Sequence, residues 1–424
     1  MKSRQNNLEL LAPAGSPEKL KYALHYGADA VYAGIPDFSL RARINNFDEK
    51  TLKAGVEYTH KKGKKIYVTL NIYAHHSHLA KVEKHLKFLK KIKVDGIIVS
   101  DPGIIRLIKK YCPETEIHLS TQANATNWQA VKFWHEQGVK RVVLAREVTL
   151  EEIREIKKNV PKMELEYFVH GAMCMSYSGR CILSKWMNNR SANLGDCTQP
   201  CRWRYHTTCN IKHETKNISV KDERNRFEID LEEDQHGTYF FNSYDLNLIE
   251  HLKDLAEAGV ESFKIEGRAK SVYYISIVCR AYQRVISSLG KGKELIGSVK
   301  KSQKDLTLLV NRGYTKGFLL GNEPEHNFHS DNFKNLVQFV GEVTGNEGKL
   351  SRVKVHNEIF QNDILEAVSP GGDYKLKIKK IYNHNKQKVA EAHGGHKNEY
   401  FFEFDKVLEE KSLLRRKINQ KPVL

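Results

Sequence analysis

Short apolar runs alternate with amphipathic segments along most of this chain. The runs begin at Leu8, Ala30, Lys65, Gly96, Glu116, Arg141, Glu164 and Ser262, and residues 17–26, 79–91, 128–137 and 150–158 between them have helical apolar spacing. Strands that alternate with helices build parallel sheets. Eight such units predict an α/β fold, a (β/α)8 TIM-like barrel. An open doubly wound sheet fits the first six units nearly as well, so the barrel prediction depends on the count of eight.

A long insertion interrupts this alternation after the seventh predicted strand. It covers residues 172–238 and precedes the helix and strand that complete the eighth unit. In barrels of this type the loops that follow the strands lie on the catalytic face. We therefore predict a barrel domain over residues 1–330, with the insertion at its mouth.

Beyond the barrel, apolar and polar residues alternate in strand-like segments separated by glycine and asparagine turns. This pattern predicts a small C-terminal all-β domain, barrel-like, over residues 335–424. Its basic run YKLKIKKIY, from Tyr374, is suited to phosphate contacts, although a solvated strand face is the commoner origin of such a run.

The composition narrows the choice of function class. The 424 residues carry a formal net charge of +18, which is typical either of a soluble basic surface or of a protein that binds a polyanion. No apolar run is long enough to cross a membrane, and the first residues lack the apolar core of a secretory signal. We expect a cytoplasmic protein without membrane association.

Four of the seven cysteines lie in one glycine-punctuated segment: Cys174, Cys181, Cys197 and Cys201. In a reducing compartment such a cluster indicates metal or redox chemistry rather than disulfides. A structural zinc site usually pairs close cysteines in two knuckles, and here only the last two are close. The spacing therefore favours an iron–sulfur cluster over zinc, with Cys209 as a reserve ligand.

Polar side chains stand at the carboxyl ends of the predicted strands, where barrel active sites form. Those positions are Asn71, Asp101, Gln122, Glu147, His170, Glu266 and Arg268. We predict that His170 and Glu266 handle protons and that Asn71, Gln122, Arg268 and the insertion residue Arg180 bind substrate. Each has a structural alternative; His170, for example, could be a hydrogen-bonded core histidine.

The segment EYFVHGAMCMSYSGRCILS, from Glu166, resembles the signature of the collagenase-like peptidases of undetermined mechanism, peptidase family U32. The opening LELLAPAGSPEKLKYALHYGADAVYAG and the later CRWRY, FKIEGR and NRGYTKGFL extend the resemblance over most of the chain. Within the family, the sequence is most similar to members that hydroxylate tRNA.

This resemblance implies a four-iron four-sulfur (4Fe-4S) cluster on Cys174, Cys181, Cys197 and Cys201. It also implies oxygen-independent hydroxylation of the wobble uridine of tRNA to 5-hydroxyuridine, with prephenate as co-substrate and the iron–sulfur assembly machinery as a partner. Two alternatives stand beside it. One is a metal-dependent, collagenase-like peptidase, although the chain has neither an HExxH nor a GxSxG motif. The other is a non-catalytic RNA-binding protein with a structural cluster.

Overall fold

The computed structural model describes most of the chain between residues 8 and 418. Within those limits, the residues outside the description are 36–46, 73, 174–175, 178–179, 182, 189, 191–197, 199, 203–204, 213–214, 223–227, 232, 235–236, 239–243, 323–335 and 396–398. Two of the four predicted cluster ligands, Cys174 and Cys197, therefore lie outside the described residues.

The apolar runs form a closed parallel barrel. Its strands are Glu9–Pro13 (β1), Ala30–Ala33 (β2), Lys65–Leu70 (β3), Gly96–Val99 (β4), Glu116–Leu119 (β5), Arg141–Val143 (β6), Glu164–Ala172 (β7) and Val260–Ile265 (β8). Each pairs in parallel with its neighbour, and β8 pairs with both β7 and β1. The β8–β1 pairing closes the sheet, so the TIM-like barrel is confirmed over the open alternative.

Six helices follow the first six strands: Pro17–His25 (α1), Glu49–Lys61 (α2), Leu79–Ile92 (α3), Pro102–Tyr111 (α4), Trp128–Glu136 (α5) and Leu150–Asn159 (α6). Four of them start at a side-chain cap, because Asp48, Asp101, Asn127 and Thr149 each accept a hydrogen bond from a backbone amide of the first turn. The strand-end residue Asp101 is therefore the N-cap of α4, where its side chain accepts a hydrogen bond from the Ile104 amide at 3.0 Å. Short 3-10 turns lie at His76–His78, Thr121–Ala123, Pro200–Arg202 and Ile249–His251.

Part of the barrel interior is charged. Arg141 on β6 pairs with Glu9 on β1 at 2.6 Å and with Glu166 on β7 at 3.3 Å. Lys264 on β8 bonds the other oxygen of Glu166 at 2.6 Å. These four side chains are mostly shielded from solvent, and mutual pairing is what makes buried charges tolerable. An apolar cluster, which includes Leu11, Tyr32, Tyr67 and Ile98, fills another part of the barrel.

The segment between β7 and β8 contains further elements. They are the helices Leu183–Asn188 and Leu252–Ala258 and the strands Tyr205–Lys212, Thr215–Asp222, Glu228–Leu231, Glu233–Asp234, Gly237–Thr238 and Asp245–Asn247. The first three strands form an antiparallel sheet. The backbone of the reserve ligand Cys209 lies in that sheet, opposite Ile218. Asp245–Asn247 pairs antiparallel with the end of β7 and parallel with Tyr314–Thr315.

The C-terminal strands form a separate antiparallel sheet, as predicted. The strands after residue 335 are Val337–Glu347, Leu350–Val355, Ile359–Phe360, Ile364–Ser369, Gly372–Tyr382, Lys388–Val389, Glu391–Ala392, Tyr400–Phe404 and Leu413–Lys417. Seven of them join in one sheet around a buried core that includes Val340, Leu376 and Phe402. Helices Val272–Ser288 and Lys293–Thr307 precede this sheet in the chain.

Contacts between Cα atoms divide the chain into two compact units. The first comprises residues 1–20, 29–269 and 311–332, and the second comprises residues 21–28, 270–310 and 333–424. Within the second unit, Arg280 on Val272–Ser288 pairs with Asp373 of the sheet and with Asp305. No helix among the described residues is long and apolar enough to cross a membrane.

Candidate active site

The carboxyl ends of the barrel strands gather most of the polar residues predicted from the sequence. Asn71 follows β3, Gln122 follows β5, His170 lies near the end of β7, and Glu266 and Arg268 follow β8. Four of these side chains are at most 8% exposed, whereas Glu266 is partly exposed. The barrel therefore places these five groups around its mouth.

The ends of β7 and β8 approach each other closely. The Glu266 amide donates a hydrogen bond to the His170 carbonyl at 2.9 Å. Gly171 has φ of +105°, and a Cβ atom there would lie 2.2 Å from the Glu266 carbonyl oxygen. Only glycine fits this position, because it alone combines that φ with the absence of a side chain. Gly171 therefore lets the chain place His170 and Glu266 side by side.

Tyr32 connects the end of β8 to β2. Its hydroxyl donates to the Ile265 carbonyl at 2.9 Å and lies 3.4 Å from Oε2 of Glu266. The Tyr32 ring also faces two cations, since Lys264 Nζ lies 4.6 Å and the Arg268 guanidinium carbon 5.6 Å from its centroid. These contacts hold side chains at the end of β8 against β2, two strands away around the barrel.

Arg268 is 5% exposed, which is unusual for a guanidinium. Its Nη1 donates to Thr69 Oγ1 at 3.3 Å, and its carbonyl accepts a hydrogen bond from Lys19 at 3.1 Å. The position of Arg268 at the mouth suits a group that receives the negative charge of a bound molecule.

Asn71 and Gln122 belong to one hydrogen-bonded row. Asn71 Nδ2 lies 3.5 Å from Ser120 Oγ, which donates to Gln122 Oε1 at 3.3 Å. The two predicted substrate-binding amides are therefore connected through Ser120. The Gln122 carbonyl lies 3.5 Å from Nη2 of Arg180, which brings that insertion residue to the end of β5.

The sequence reasoning missed the charged pair directly below the mouth. Burial alone would raise the pKa of Glu166, but the adjacent Lys264 and Arg141 lower it below its ordinary value. Burial lowers the pKa of Lys264, an effect that Glu166 opposes. Lys264 on β8 and Glu266 just beyond its end are two residues apart, and both side chains approach Tyr32. That period-two spacing was the signal that could have identified Lys264.

Arg146, three residues beyond the last paired residue of β6, was also missed. Its guanidinium carbon lies 3.7 Å from the centroid of the Phe168 ring, and Lys264 Nζ lies 5.3 Å from the same ring. Phe168 is a β7 residue on the same side as Glu166, which faces the barrel interior. Arg146 therefore reaches into the mouth rather than into solvent. The signal that could have identified it is its position at the carboxyl end of β6, next to Glu147.

The described part of the cysteine segment brings its two halves together. Ser184 is fully buried, and its Oγ accepts a hydrogen bond from the Thr198 amide at 3.0 Å. This bond joins the chain near Cys181 to the chain that contains Cys201. Both thiols are partly exposed, whereas Cys112 and Cys279 are buried, as expected for core cysteines.

Two partly exposed thiols on segments joined by the Ser184–Thr198 bond are compatible with a thiolate-ligated cluster, because soft sulfur ligands select iron–sulfur clusters and related metals. Among the described residues, no group of three histidine, cysteine or acidic side chains could hold a metal ion. Cys174 and Cys197 lie outside the described residues. The ligand set therefore stays a prediction.

Comparison with family models and with known proteins identifies one family. Residues 15–329 match the family model described as Peptidase family U32, and residues 336–415 match the model for its C-terminal domain. The chain is 41% identical to the tRNA hydroxylation protein P of Haemophilus influenzae, and the alignment covers 92% of each chain.

Two further relatives have different names. The 23S rRNA 5-hydroxycytidine C2501 synthase of Escherichia coli is 35% identical, over 67% of this chain and 40% of that protein. A collagenase of Porphyromonas gingivalis is 34% identical, over 74% of each chain.

Proposed function

The chain belongs to peptidase family U32, and from that premise we propose that it modifies tRNA by hydroxylating the wobble uridine to 5-hydroxyuridine. The observation that carries the proposal is the 41% identity, over 92% of both chains, with a tRNA hydroxylation protein. The similarity to a 5-hydroxycytidine synthase supports the same class of chemistry, the hydroxylation of a pyrimidine in RNA.

The barrel mouth supplies suitable groups for such a reaction. His170 and Glu266 are adjacent through the bond between their backbones and are the groups that we assign to proton transfer. Arg268, a buried cation at the same rim, is assigned to a carboxylate of the co-substrate. The identity of that co-substrate as prephenate, and the independence from molecular oxygen, rest on the family resemblance alone.

We assign Cys174, Cys181, Cys197 and Cys201 as ligands of a 4Fe-4S cluster delivered by the iron–sulfur assembly machinery. The partly exposed thiols of Cys181 and Cys201 and the Ser184–Thr198 bond between their segments support this assignment. When bound, such a cluster supplies one-electron chemistry.

For tRNA binding we propose the exposed face of the strand Gly372–Tyr382. Lys375, Lys377 and Lys379 alternate with the buried Leu376 and Ile378, so the three ammonium groups lie on the solvent side. Ile364 lies opposite Lys377 in the neighbouring strand and is 70% exposed. A row of lysines beside an exposed apolar side chain suits contacts with phosphates and nucleotide bases.

Nucleoside mass spectrometry of tRNA tests the function. A strain that lacks this gene should lose 5-hydroxyuridine and its derivatives, and the wild-type gene should restore them. Arg268→Ala should fail to restore them, whereas Arg106→Ala, at an exposed position on α4, should behave as wild type. Unchanged tRNA in the deletion strain would refute the proposal.

The similarity to a collagenase keeps a peptidase as the second candidate. Gelatin digestion by the purified chain tests it directly. If gelatin is still cleaved by variants that lack the four proposed cluster ligands and Arg268, the activity comes from a contaminant. Cleavage that is lost with them would favour the peptidase.

A further inference from the structure

Two hydrogen-bond donors at the barrel mouth are enclosed by protein and bond to nothing within the described part of the chain: Gln122 Nε2 and Arg146 Nε. Gln122 is 2% exposed. The two residues follow the adjacent strands β5 and β6, whose ends are joined by the Thr121 hydroxyl, which donates to the Leu144 carbonyl at 3.4 Å. Buried donors are rarely left without acceptors, so this pair indicates that a ligand supplies the acceptor.

The guanidinium of Arg146 has no ion-pair partner among the residues that the structure describes. It lies instead over the ring of Phe168, with 3.7 Å between the guanidinium carbon and the ring centroid. A guanidinium held on an aromatic face can still use its N–H groups, which form a planar fork that matches a carboxylate. By contrast, the charge of the neighbouring Lys264 is balanced by Glu166 at 2.6 Å.

The backbone of Arg146 is held in place from the outer side of the barrel. The Tyr167 hydroxyl donates to the carbonyl oxygens of Arg146 at 3.1 Å and of Val148 at 2.8 Å. Burial raises the pKa of Tyr167, so this phenol stays protonated and keeps donating. Tyr167 is therefore a positioning residue for Arg146.

We infer that Arg146 and Gln122 form a subsite for the carboxylate of a small organic acid, with the ring of Phe168 supporting the guanidinium. The near-complete burial of Gln122 favours a small molecule over the backbone of a polynucleotide. The role of this acid as co-substrate rests on the proposed function. Its binding at Arg146 and Gln122 rests on the geometry alone.

Titration calorimetry of the purified full-length chain with malonate tests the subsite without any turnover. Arg146→Gln should weaken malonate binding by roughly tenfold or more, because it removes a charge-assisted hydrogen bond. Gln122→Leu, which removes the neutral donor at similar volume, should weaken it less. Tyr167→Phe should weaken it while leaving every charge in place. Arg154→Gln, at an exposed position on α6, is the matched control and should bind as wild type.

Unchanged malonate affinity in Arg146→Gln would overturn the inference. So would a loss of tRNA affinity in that variant with malonate binding intact, because the anion would then be an RNA phosphate. If Arg146→Gln lowers the thermal midpoint substantially, Arg146→Lys becomes the test variant, because lysine keeps the charge but lacks the planar fork. Wild-type malonate affinity in Arg146→Lys would equally overturn the inference. Arg146-dependent malonate binding in a protein that leaves tRNA unmodified would contradict the proposed function and leave the subsite standing.

Discussion

Substitution of Gly171 by alanine tests how the ends of β7 and β8, which carry the proposed proton-transfer groups, are held together. An alanine at φ of +105° carries left-handed strain of about 1–2 kcal/mol. Its Cβ would also lie 2.2 Å from the Glu266 carbonyl oxygen, so the strand ends must separate by about 1 Å to reach an ordinary C···O distance. That movement breaks the bond from the Glu266 amide to the His170 carbonyl, now 2.9 Å, and leaves a buried donor unsatisfied at a cost of about 1–3 kcal/mol.

Gly171→Ala should therefore lower the free energy of unfolding by about 2–5 kcal/mol and abolish tRNA hydroxylation, because His170 and Glu266 move apart. Gly259→Ala is the matched control. Gly259 has nearly the same φ, +102°, but its Cβ would meet the side chain of Lys157, which must shift and release its ion pair with Glu261 while the strand ends at the mouth stay in place. We expect a loss of about 2 kcal/mol and retained activity. Urea denaturation measures both variants, and equal destabilisation with full activity in each would refute the backbone-contact argument.

Three further predictions concern the cluster, RNA binding and pH. Cys181→Ser and Cys201→Ser should each strip iron from anaerobically purified protein, whereas Cys112→Ser should stay loaded, as iron and sulfide analysis would show; full iron in either of the first two would exclude that ligand. Lys377→Glu should weaken tRNA binding and reduce its dependence on salt concentration in filter-binding assays, and an unchanged salt slope would contradict the proposed face. Burial lowers the pKa of His85 from 6.5 to about 4, so between these values only the unfolded chain takes up the proton and stability falls as pH is lowered. When the pH is lowered from 7 to 4, the free energy of unfolding should fall by about 3 kcal/mol less in His85→Leu than in wild type, as denaturation curves would show. An equal fall in both proteins would refute the lowered pKa of His85.

The period of the apolar positions was enough to predict the barrel and the C-terminal sheet. Every predicted barrel run became a strand, because a strand covered by helices on one side and by the barrel interior on the other is apolar nearly throughout. The count of eight runs predicted that the sheet closes into a barrel, and the pairing of β8 with β1 confirms this closure.

The charged interior could not be anticipated from the same pattern. Arg141, Glu166 and Lys264 interrupt their strands with charges that a sequence alone assigns to solvent, and their pairing partners are more than twenty residues away along the chain. Pairs of this kind depend on which strands become neighbours across the barrel, which periodicity does not specify.

The polar groups at the mouth were partly predictable. The rule that active sites form at the carboxyl ends of barrel strands identified Asn71, Gln122, His170, Glu266 and Arg268, and the structure brings them to one rim. The same rule selected Glu147 after β6 but passed over the adjacent Arg146, although Arg146 lies as far beyond β6 as Arg268 lies beyond β8. Whether these groups act on a substrate stays a prediction.

The most direct test of the central claim is the reaction itself, carried out anaerobically with the purified, cluster-loaded chain, prephenate and tRNA from a strain that lacks the gene. We expect mass spectrometry to find one added oxygen atom on the wobble uridine. The product should require prephenate, and Arg268→Ala should form none. A tRNA that stays unmodified in the presence of intact cluster and prephenate would contradict the account.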